Sequence, residues 1–172
     1  LKDVALTKTI EIKKNVTIQN PAKKSITVSR GNSHTNSMFI CAVDDITFKL
    51  KRMEGDSKGS LTIDAATSEQ VAASAIRNGT SSITNTKFLV GEGVTVRNAN
   101  SSTDGGAIFN YGTVEIAGTI MGNNSEASGG AIFNYGTVHL NGGEIVNNVS
   151  AINGGAIFSC GDIIISDGKI AN

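Results

Sequence analysis

The sequence contains no tryptophan, one proline (Pro21) and two cysteines (Cys41 and Cys160) in 172 residues. Two cysteines are too few for the disulfide framework on which small secreted domains depend, which excludes that class of scaffold. No apolar run approaches the ~20 residues that a membrane-spanning helix needs, so we expect no transmembrane segment in these residues. Apolar residues make up 39% and charged residues 17% of the chain, which is typical of a globular protein and not of a disordered one.

Glycine is abundant, with 20 residues, and many Asn, Ser and Thr accompany it, a composition that favours short strands joined by turns. The net charge is zero, but residues 1–60 carry eleven Lys and Arg against six acids, while residues 61–172 carry four against nine. We interpret this split as a solvated surface of uneven composition. A polarised rod or a basic binding face is the alternative.

Three nearly identical segments follow one another: DGGAIFNYGTV at 104–114, SGGAIFNYGTV at 128–138 and NGGAIFSCGDI at 153–163. Their glycine pairs begin at Gly105, Gly129 and Gly154, which are 24 and 25 residues apart. Periods of this length indicate a leucine-rich repeat or a β-solenoid, and only six leucines occur, without the leucine-rich spacing. We therefore predict an all-β fold, a right-handed parallel β-helix of about seven coils of roughly 20–25 residues each.

The repeat predicts columns of like residues, one per coil. Residues nine and eleven positions after the first glycine are apolar and two apart, so they share one strand face and should point into the core: Val114, Val138, Ile163, Ile116, Leu140 and Ile165. We expect a third apolar column sixteen positions after the glycine at Met121, Ile145 and Ile170. At a corner we expect a stacked asparagine ladder of Asn123, Asn147 and Asn172.

The GGAIFNY strands predict further ladders. The glycine pairs, Gly105–Gly106, Gly129–Gly130 and Gly154–Gly155, should form tight corners. Stacked aromatic residues should follow at Phe109, Phe133 and Phe158 and at Tyr111 and Tyr135, with Cys160 continuing the second column. Alternation places Ile108 and Asn110 on the face opposite to the rings, and it places their copies Ile132 and Asn134 on the same face of the next coil. The sequence leaves open which of the two faces is inside.

Upstream of residue 93 the period is less regular, although the alternation of apolar and polar residues persists. We therefore expect one β-helix segment over 1–172, with irregular coils at 1–92 and regular GGAI-type coils at 93–172. Residues 67–79 are the one stretch whose pattern also fits a short helix, with an irregular loop as the alternative. Because the chain starts on Leu1 and ends at Asn172 within a repeat, we expect it to be a segment of a longer protein.

At its GGAIFNYGTV copies the sequence resembles large bacterial and archaeal cell-surface, adhesin-like proteins built from pectin-lyase-like β-helix repeats. It is similar in part to the chlamydial polymorphic outer-membrane proteins, which are defined by repeated GGA-[ILV] and FxxN motifs. GGAI occurs three times, but Phe109 and Asn110 are adjacent and not spaced by two, which favours the broader group. The resemblance implies a structural or adhesive segment of a secreted or cell-surface protein, a stalk or display surface that binds host or neighbouring-cell ligands.

The chemistry-bearing residues predict neither catalysis nor a cofactor. A β-helix polysaccharide lyase or hydrolase, the alternative function, needs acids clustered on neighbouring coils, whereas each predicted outward column carries one. We read Asp44 and Asp45 as strand neighbours on opposite faces, and Glu54 with Asp56 as solvated turn residues. His34 and His139 have no other metal ligand near them in sequence, so we expect no metal site.

The interpretation as a cell-surface segment also predicts the binding partners. We expect a glycan or protein receptor on another cell, flanking coils of the same chain, end-to-end self-association, and no nucleic acid, because the lysines lack interleaved aromatic residues. Cys41 and Cys160 lie 119 residues apart, about five coils, so both should be free thiols.

Overall fold

The computed structural model of the chain describes residues 2–171, which contain strands and turns and no helix. The strands, in chain order, are β1 (Val4–Leu6), β2 (Ile10–Ile12), β3 (Val16–Gln19), β4 (Ser25–Arg30), β5 (Phe39–Cys41), β6 (Ile46–Lys51), β7 (Ser60–Asp64), β8 (Ile76–Asn78), β9 (Thr86–Val90), β10 (Val94–Arg97), β11 (Asn100–Ser101), β12 (Ile108–Asn110), β13 (Thr113–Ile116), β14 (Thr119–Met121), β15 (Asn124–Ser125), β16 (Ile132–Asn134), β17 (Thr137–Val146), β18 (Val149–Ser150), β19 (Ile157–Ser159) and β20 (Asp162–Ala171).

The strands stack into three parallel walls, so the chain is an all-β parallel solenoid, as the sequence predicts. Wall A contains β2, β5, β8, β12, β16 and β19. Wall B contains β3, β6, β9, β13 and the first halves of β17 and β20; wall C contains β1, β4, β7, β10, β14 and the second halves of β17 and β20. A short sheet of β11, β15 and β18 covers the corner between walls C and A. We call the end with β19 and β20 the top and the end with β1, β2 and β3 the bottom.

The early coils are longer than the 20–25 residues expected, and wall A has six strands among residues 2–171, whereas the sequence predicts about seven coils. Along wall A, Ile10 pairs with Phe39, Phe39 with Ile76, and Ile76 with Ile108, so these coils advance by 29, 37 and 32 residues. The later pairs Ile108–Ile132 and Ile132–Ile157 advance by 24 and 25. The extra residues lie in loops at the corners, where insertions leave the strand ladder intact.

The core is a set of vertical apolar columns inside the walls. Wall A contributes Phe39, Ile76, Ile108 and Ile132, wall B Phe48, Phe88, Val114 and Val138, and wall C Ile63, Val96, Ile120 and Ile145, all fully buried. The rings of Phe48 and Phe88 stack with centroids 5.3 Å apart. The expected inward position of Val114, Val138, Ile116 and Leu140 is confirmed, because all four are at most 1% exposed.

The third apolar column is displaced by one residue from the prediction. Ile120, and not Met121, pairs with Ile145, which in turn pairs with Ile170, while Met121 pairs with Val146. The cause is one extra residue at Asn141–Gly142, where the register shifts between neighbouring coils. Every position after it in that coil moves by one relative to the glycine pair.

Residues 67–79 form no helix. They run through bends into strand β8, where Ile76 pairs with Phe39 below and Ile108 above. Ala75 and Ile76 are fully buried. The ladder of wall A therefore overrides the weak helical pattern of this stretch, as tertiary pairing commonly does.

Candidate functional site

The glycine pairs form the corner that leads into wall A. Gly105, Gly129 and Gly154 have φ angles of 71°, 73° and 61°, a left-handed conformation that other residues adopt at a cost. A Cβ on the second glycine, Gly106, would lie 2.1 Å from the carbonyl oxygen of Gly130 in the next coil. The coils thus approach each other backbone to backbone at this corner, and the strands that follow start in register.

The face of the GGAIFNY strand that the sequence left open is settled by burial. Ile108 and Asn110 are fully buried, as are Ile132 and Asn134 one coil above. The rings therefore stand on the outside of wall A, with Tyr135 48% exposed. In the top coil, which no described coil covers, Ile157 and Phe158 are both partly exposed.

The outer rings form a continuous stack, which we call the aromatic ladder: Phe109, Phe133, Phe158, Tyr111 and Tyr135. Phe133 lies between Phe109 and Phe158, with centroid distances of 5.0 Å on both sides. Tyr111 and Tyr135 stack at 5.2 Å in the neighbouring column. The two columns touch, since Phe133 meets Tyr135 at 5.1 Å. The five rings thus form one apolar, hydroxyl-edged ladder on the outside of wall A. Tyr135 is exposed, Phe109, Tyr111 and Phe158 are partly exposed, and Phe133 is only 5% exposed because its neighbours cover it.

Arg77 closes the lower end of the aromatic ladder. Its guanidinium carbon lies 5.2 Å from the ring centroid of Phe109 and 5.7 Å from that of Tyr111, within cation–π range. Arg77 pairs with Phe109 in the strand register, so it occupies the position of a ring one coil lower. Arg77 is not among the ladder residues predicted above, although SAIRNG at 74–79 repeats the A-I-x-N spacing of GAIFNY and marks the same position.

Behind the aromatic ladder runs an inner asparagine ladder. The Nδ2 of Asn78 donates to the Oδ1 of Asn110 at 2.8 Å. One coil above, the Nδ2 of Asn110 donates to the Oδ1 of Asn134 at 2.6 Å. Asn134 donates in turn to the hydroxyl of Ser159 at 2.8 Å. Because the same strands hold both ladders, these buried bonds fix the coil-to-coil register of the outer rings.

The second asparagine ladder predicted at Asn123 and Asn147 is wrong by one residue. The Nδ2 of Asn123 donates to the Oδ1 of Asn148 at 2.9 Å, and Asn148 is fully buried. Asn147 is exposed and takes the left-handed conformation, with a φ of 55°. The extra residue at Asn141–Gly142 produces this shift as well. Asn172 lies outside the described residues.

The acidic side chains take part mostly in local structure. Asp64 pairs with Arg97 at 2.9 Å, and Glu92 pairs with Arg52 at 2.7 Å. Asp44 and Asp45 lie in a bend before β6 and both bond to Asn85, so the expectation of opposite strand faces is wrong. Among residues 2–171, no group of three or more His, Cys, Asp or Glu is arranged to hold a metal ion.

Asp56 is buried, so the expectation of a solvated turn residue is wrong for this position. Its carboxylate accepts hydrogen bonds from the backbone N–H groups of Lys58, Gly59 and Lys23, at 2.9, 3.0 and 2.7 Å. These bonds, with that from Asn20, lower its pKa to about 2. Asp56 therefore organises the loop between walls B and C rather than offering a free carboxylate.

Two open clefts lie at the corners. One, of about 260 Å³, is lined by Lys51, Arg52, Met53, Glu54, Gly55 and Glu92. The other, of about 270 Å³, is lined mainly by polar residues of 32–35 and 67–71, among them His34. His34 is 5% exposed, and burial, followed by the charge of Arg30, lowers its pKa. The imidazole hydrogen-bonds to Thr9 and to the carbonyl of Leu6, a structural role.

The chain matches no protein-family model, no curated protein and no solved structure in the comparisons with known proteins. A search of residues 2–171 for a helix long and apolar enough to cross a membrane finds none.

Proposed function

We propose that this chain is a structural and adhesive segment of a secreted or cell-surface protein, and that the aromatic ladder is its ligand-binding surface. One observation carries the proposal: five aromatic rings stack on the outside of wall A, where an interior role does not explain them. Soluble proteins expose few contiguous apolar patches, and those they keep commonly mark binding sites. The GGAI resemblance to cell-surface repeat proteins supports the location and the class of function.

The residue types of the aromatic ladder favour ligand recognition. Tyrosine and arginine carry a large share of binding energy at protein interfaces, because each combines apolar area with a polar group. Tyr135, at 48% exposure, and Tyr111 offer hydroxyl edges, and Arg77 adds a cation at the lower end. We infer a ligand with flat apolar faces and hydrogen-bonding groups, either a glycan or a protein on another cell.

The rigid wall behind the rings supports a display role. A surface held by buried hydrogen bonds loses little conformational entropy when it binds a ligand, which favours affinity. The inner ladder of Asn78, Asn110 and Asn134 provides such bonds directly behind the rings. A solenoid of this kind also acts as a spacer, because each added coil lengthens it by about 4.8 Å.

Glycan and protein arrays probed with the labelled chain test the proposal. The double variant Tyr111→Ala/Tyr135→Ala should lower binding to any ligand found by at least about tenfold, because central aromatic residues dominate interface energetics. The matched control, Thr62→Ala/Thr95→Ala, changes outward residues of wall C and should leave binding unchanged. Unchanged binding in the tyrosine variant would overturn the assignment of the aromatic ladder.

Surface location requires a separate measurement. Antibodies against the folded chain should label intact cells of the source, and mild external protease should remove the signal. Labelling only after the cells are opened would contradict the location and leave the binding assay as the remaining test of adhesion.

A carbohydrate-active enzyme is the second candidate, favoured by one observation. Glu54 and Glu92 both line the 260 Å³ cleft with Lys51 and Arg52, so two carboxylates share one concave surface. Glycoside hydrolysis uses a carboxylate pair. If the chain cleaves polysaccharides, Glu54→Gln and Glu92→Gln should each abolish cleavage, whereas the Tyr111→Ala/Tyr135→Ala variant should not. Absence of cleavage across a broad polysaccharide panel would contradict the enzymatic function.

A further inference from the structure

The rings of the aromatic ladder turn their edges, and not their faces, away from wall A. Phe133 makes angles of 23° and 27° with the ring planes of Phe109 and Phe158, each 5.0 Å away. Tyr111 and Tyr135 make an angle of 17° at 5.2 Å. Two nearly parallel rings at these distances must overlap, because rings placed side by side in one plane would collide. The faces therefore point at neighbouring rings, which is why Phe133, with a ring above and a ring below, is only 5% exposed.

The outward edges give the aromatic ladder a defined electrostatic polarity. An aromatic ring carries partial negative charge on its faces and partial positive charge on its edge. Stacking hides the negative faces, so the side of wall A presents C–H edges and the hydroxyl groups of Tyr111 and Tyr135, which can donate hydrogen bonds. The surface therefore attracts electron-rich groups.

Arg77 extends this polarity at the lower end of the aromatic ladder. Its guanidinium lies against both Phe109 and Tyr111, since the position below Tyr111 in its own column is Gly79, which has no side chain. Arg77 is partly exposed, and the ion pairs within residues 2–171 all join other residues. A guanidinium stacked on a ring keeps its N–H donors in its own plane, where they can hold a carboxylate by two hydrogen bonds.

The wall around Arg77 supplies no carboxylate. In the bottom coil Glu11 pairs with Lys13. Above that coil, the two outer columns of wall A contain no acidic residue as far as the structure describes them: Ile40, Arg77, Phe109, Phe133 and Phe158 in one, Ala42, Gly79, Tyr111, Tyr135 and Cys160 in the other. Asp104, in the corner before β12, accepts a hydrogen bond from the N–H of Ser128 at 2.9 Å. The counter-ion of Arg77 must therefore come from a ligand.

We propose, building on the binding role proposed above for the aromatic ladder, that its partner is a protein segment that carries a carboxylate beside aromatic side chains. The carboxylate of an Asp or Glu of the partner pairs with Arg77. The partner's aromatic rings set their negative faces against the positive edges of the ladder, which is the edge-to-face contact that aromatic pairs favour.

The same polarity disfavours a glycan. The C–H groups of a pyranose carry partial positive charge and are attracted to the faces of aromatic rings, which neighbouring rings cover here. Tyr135 is the exception, because the next position in its column is Cys160 and not a ring. A sugar bound to the aromatic ladder would therefore depend on Tyr135 and not on Tyr111.

Selection of random peptides displayed on phage, with the immobilised chain as target, tests the class of partner. Enriched peptides should contain Asp or Glu close to Phe, Tyr or Trp. The same selection on the Tyr111→Ala/Tyr135→Ala variant is the control and should not enrich them. Enrichment of peptides without acidic residues, or equal enrichment on both targets, overturns the proposal.

A selected peptide then tests the contact with Arg77. Arg77→Gln should weaken its binding by at least about tenfold, and so should replacement of the peptide's acid by the corresponding amide. The two changes together should cost little more than either alone, because both remove the same ion pair. Added salt should weaken binding to the wild type more than to Arg77→Gln. Lys49→Gln, which removes an exposed positive charge from wall B, is the control and should bind like the wild type. Additive losses overturn the assigned pair.

Arg77→Met separates the charge of Arg77 from its contact with the rings. Methionine keeps an apolar side chain against Phe109 and Tyr111 but carries no charge, so its affinity for the peptide should fall as far as that of Arg77→Gln. Binding of Arg77→Met like the wild type would show that only the contact with the rings matters, and it would overturn the ion pair.

Glycan arrays that include polygalacturonate, an acidic polymer, distinguish failure of this inference from failure of the proposed function. A glycan that binds the wild type and Tyr111→Ala but not Tyr135→Ala, with no acidic peptide enriched, overturns the protein partner and leaves the aromatic ladder as the binding surface. If neither a peptide nor a glycan binds in a way that depends on the two tyrosines, both proposals are overturned.

Discussion

The Nδ2 of Asn110 donates to the Oδ1 of Asn134 at 2.6 Å, inside the solenoid and one coil apart. The same nitrogen donates to the carbonyl oxygens of Gly112 at 2.9 Å and Thr137 at 3.2 Å. Asn110 is fully buried, so no solvent replaces these bonds if they are lost. The amide group thus holds the turn between walls A and B and the contact between coils at once.

Asn110→Asp should strongly destabilise the fold. The carboxyl group has the same shape but lacks the N–H donors, and its oxygen would face the carbonyls of Gly112 and Thr137. Burying such a charge without a partner lowers the free energy of unfolding by about 3–5 kcal/mol. Urea denaturation followed by circular dichroism measures the change. Asn147→Asp, at an exposed position, is the control and should cost less than about 1 kcal/mol; equal losses would contradict the inner ladder.

The displaced corner ladder gives a second test. Asn148 accepts bonds from the N–H and Nδ2 of Asn123 at 3.0 and 2.9 Å and donates to Ile120 and Val146. Asn148→Ala leaves these buried groups without partners and should cost about 2–3 kcal/mol. Asn147→Gly should change stability by less than about 0.5 kcal/mol, because glycine accepts its positive φ. A larger loss of stability for Asn147→Gly than for Asn148→Ala would contradict this assignment and support a ladder at Asn147.

The architecture and most columns could be predicted from the sequence, because identical residues at a fixed period must stack on one another. The position of the extra residue could not be predicted. The spacing of 25 between Gly129 and Gly154 shows that one residue is added, but only the backbone register shows that it lies at Asn141–Gly142. Counting from the glycine pair therefore assigns Met121 and Asn147 to columns that Ile120 and Asn148 occupy.

The inner and outer faces of the GGAIFNY strand also required the structure. Phe109 and Ile108 are both apolar, so hydrophobic alternation alone does not orient this strand. The amide of Asn110 determines which face of the strand is inside. It is buried because asparagines in adjacent coils pair with one another and with the turn carbonyls. The rings remain outside, where stacking on each other and on Arg77 covers part of their surface.

The glycine corner predicts a steric effect. A Cβ on Gly106 would lie 2.1 Å from the carbonyl oxygen of Gly130 and 2.7 Å from that of Asn124. Both atoms belong to the backbone, so Gly106→Ala should separate the coils and cost at least about 3 kcal/mol. Gly142→Asn is the control, since its Cβ would meet no atom within 4 Å and asparagine tolerates positive φ. Thermal denaturation should show a large loss only for Gly106→Ala.

The Asp56 loop predicts a dependence on pH. Backbone hydrogen bonds lower the pKa of Asp56 from 3.8 to about 2, so the folded state favours the carboxylate. The stabilisation is therefore complete above about pH 4 and is lost as the pH falls toward 2. Asp56→Asn should lower the melting temperature at pH 6 and bring the variant close to the wild type at pH 2. Glu54→Gln, at an exposed neighbour, should not; a constant difference across pH would contradict this role.

The two thiols should differ sharply in reactivity. Cys41 is fully buried at the inner face of β5, and burial raises its pKa to about 12, so its thiol stays protonated at pH 8. Cys160 is exposed directly after β19, and neither cysteine is in a disulfide. Three strands of wall A lie between them, which makes four steps along the axis and not the five predicted from the sequence. At ~4.8 Å per strand they are about 19 Å apart, too far for a bond.

A thiol reagent should therefore label one cysteine per native chain rapidly and the second only after denaturation. Cys160→Ser should remove the rapid phase, and Cys41→Ser should leave it intact. Rapid labelling of both thiols in the native state would show that wall A opens at β5, and a Cys41–Cys160 disulfide found by mass spectrometry would contradict the strand order of the wall itself. Because Cys160 continues the column of Tyr111 and Tyr135, a bulky label there should also weaken any binding that depends on the aromatic ladder.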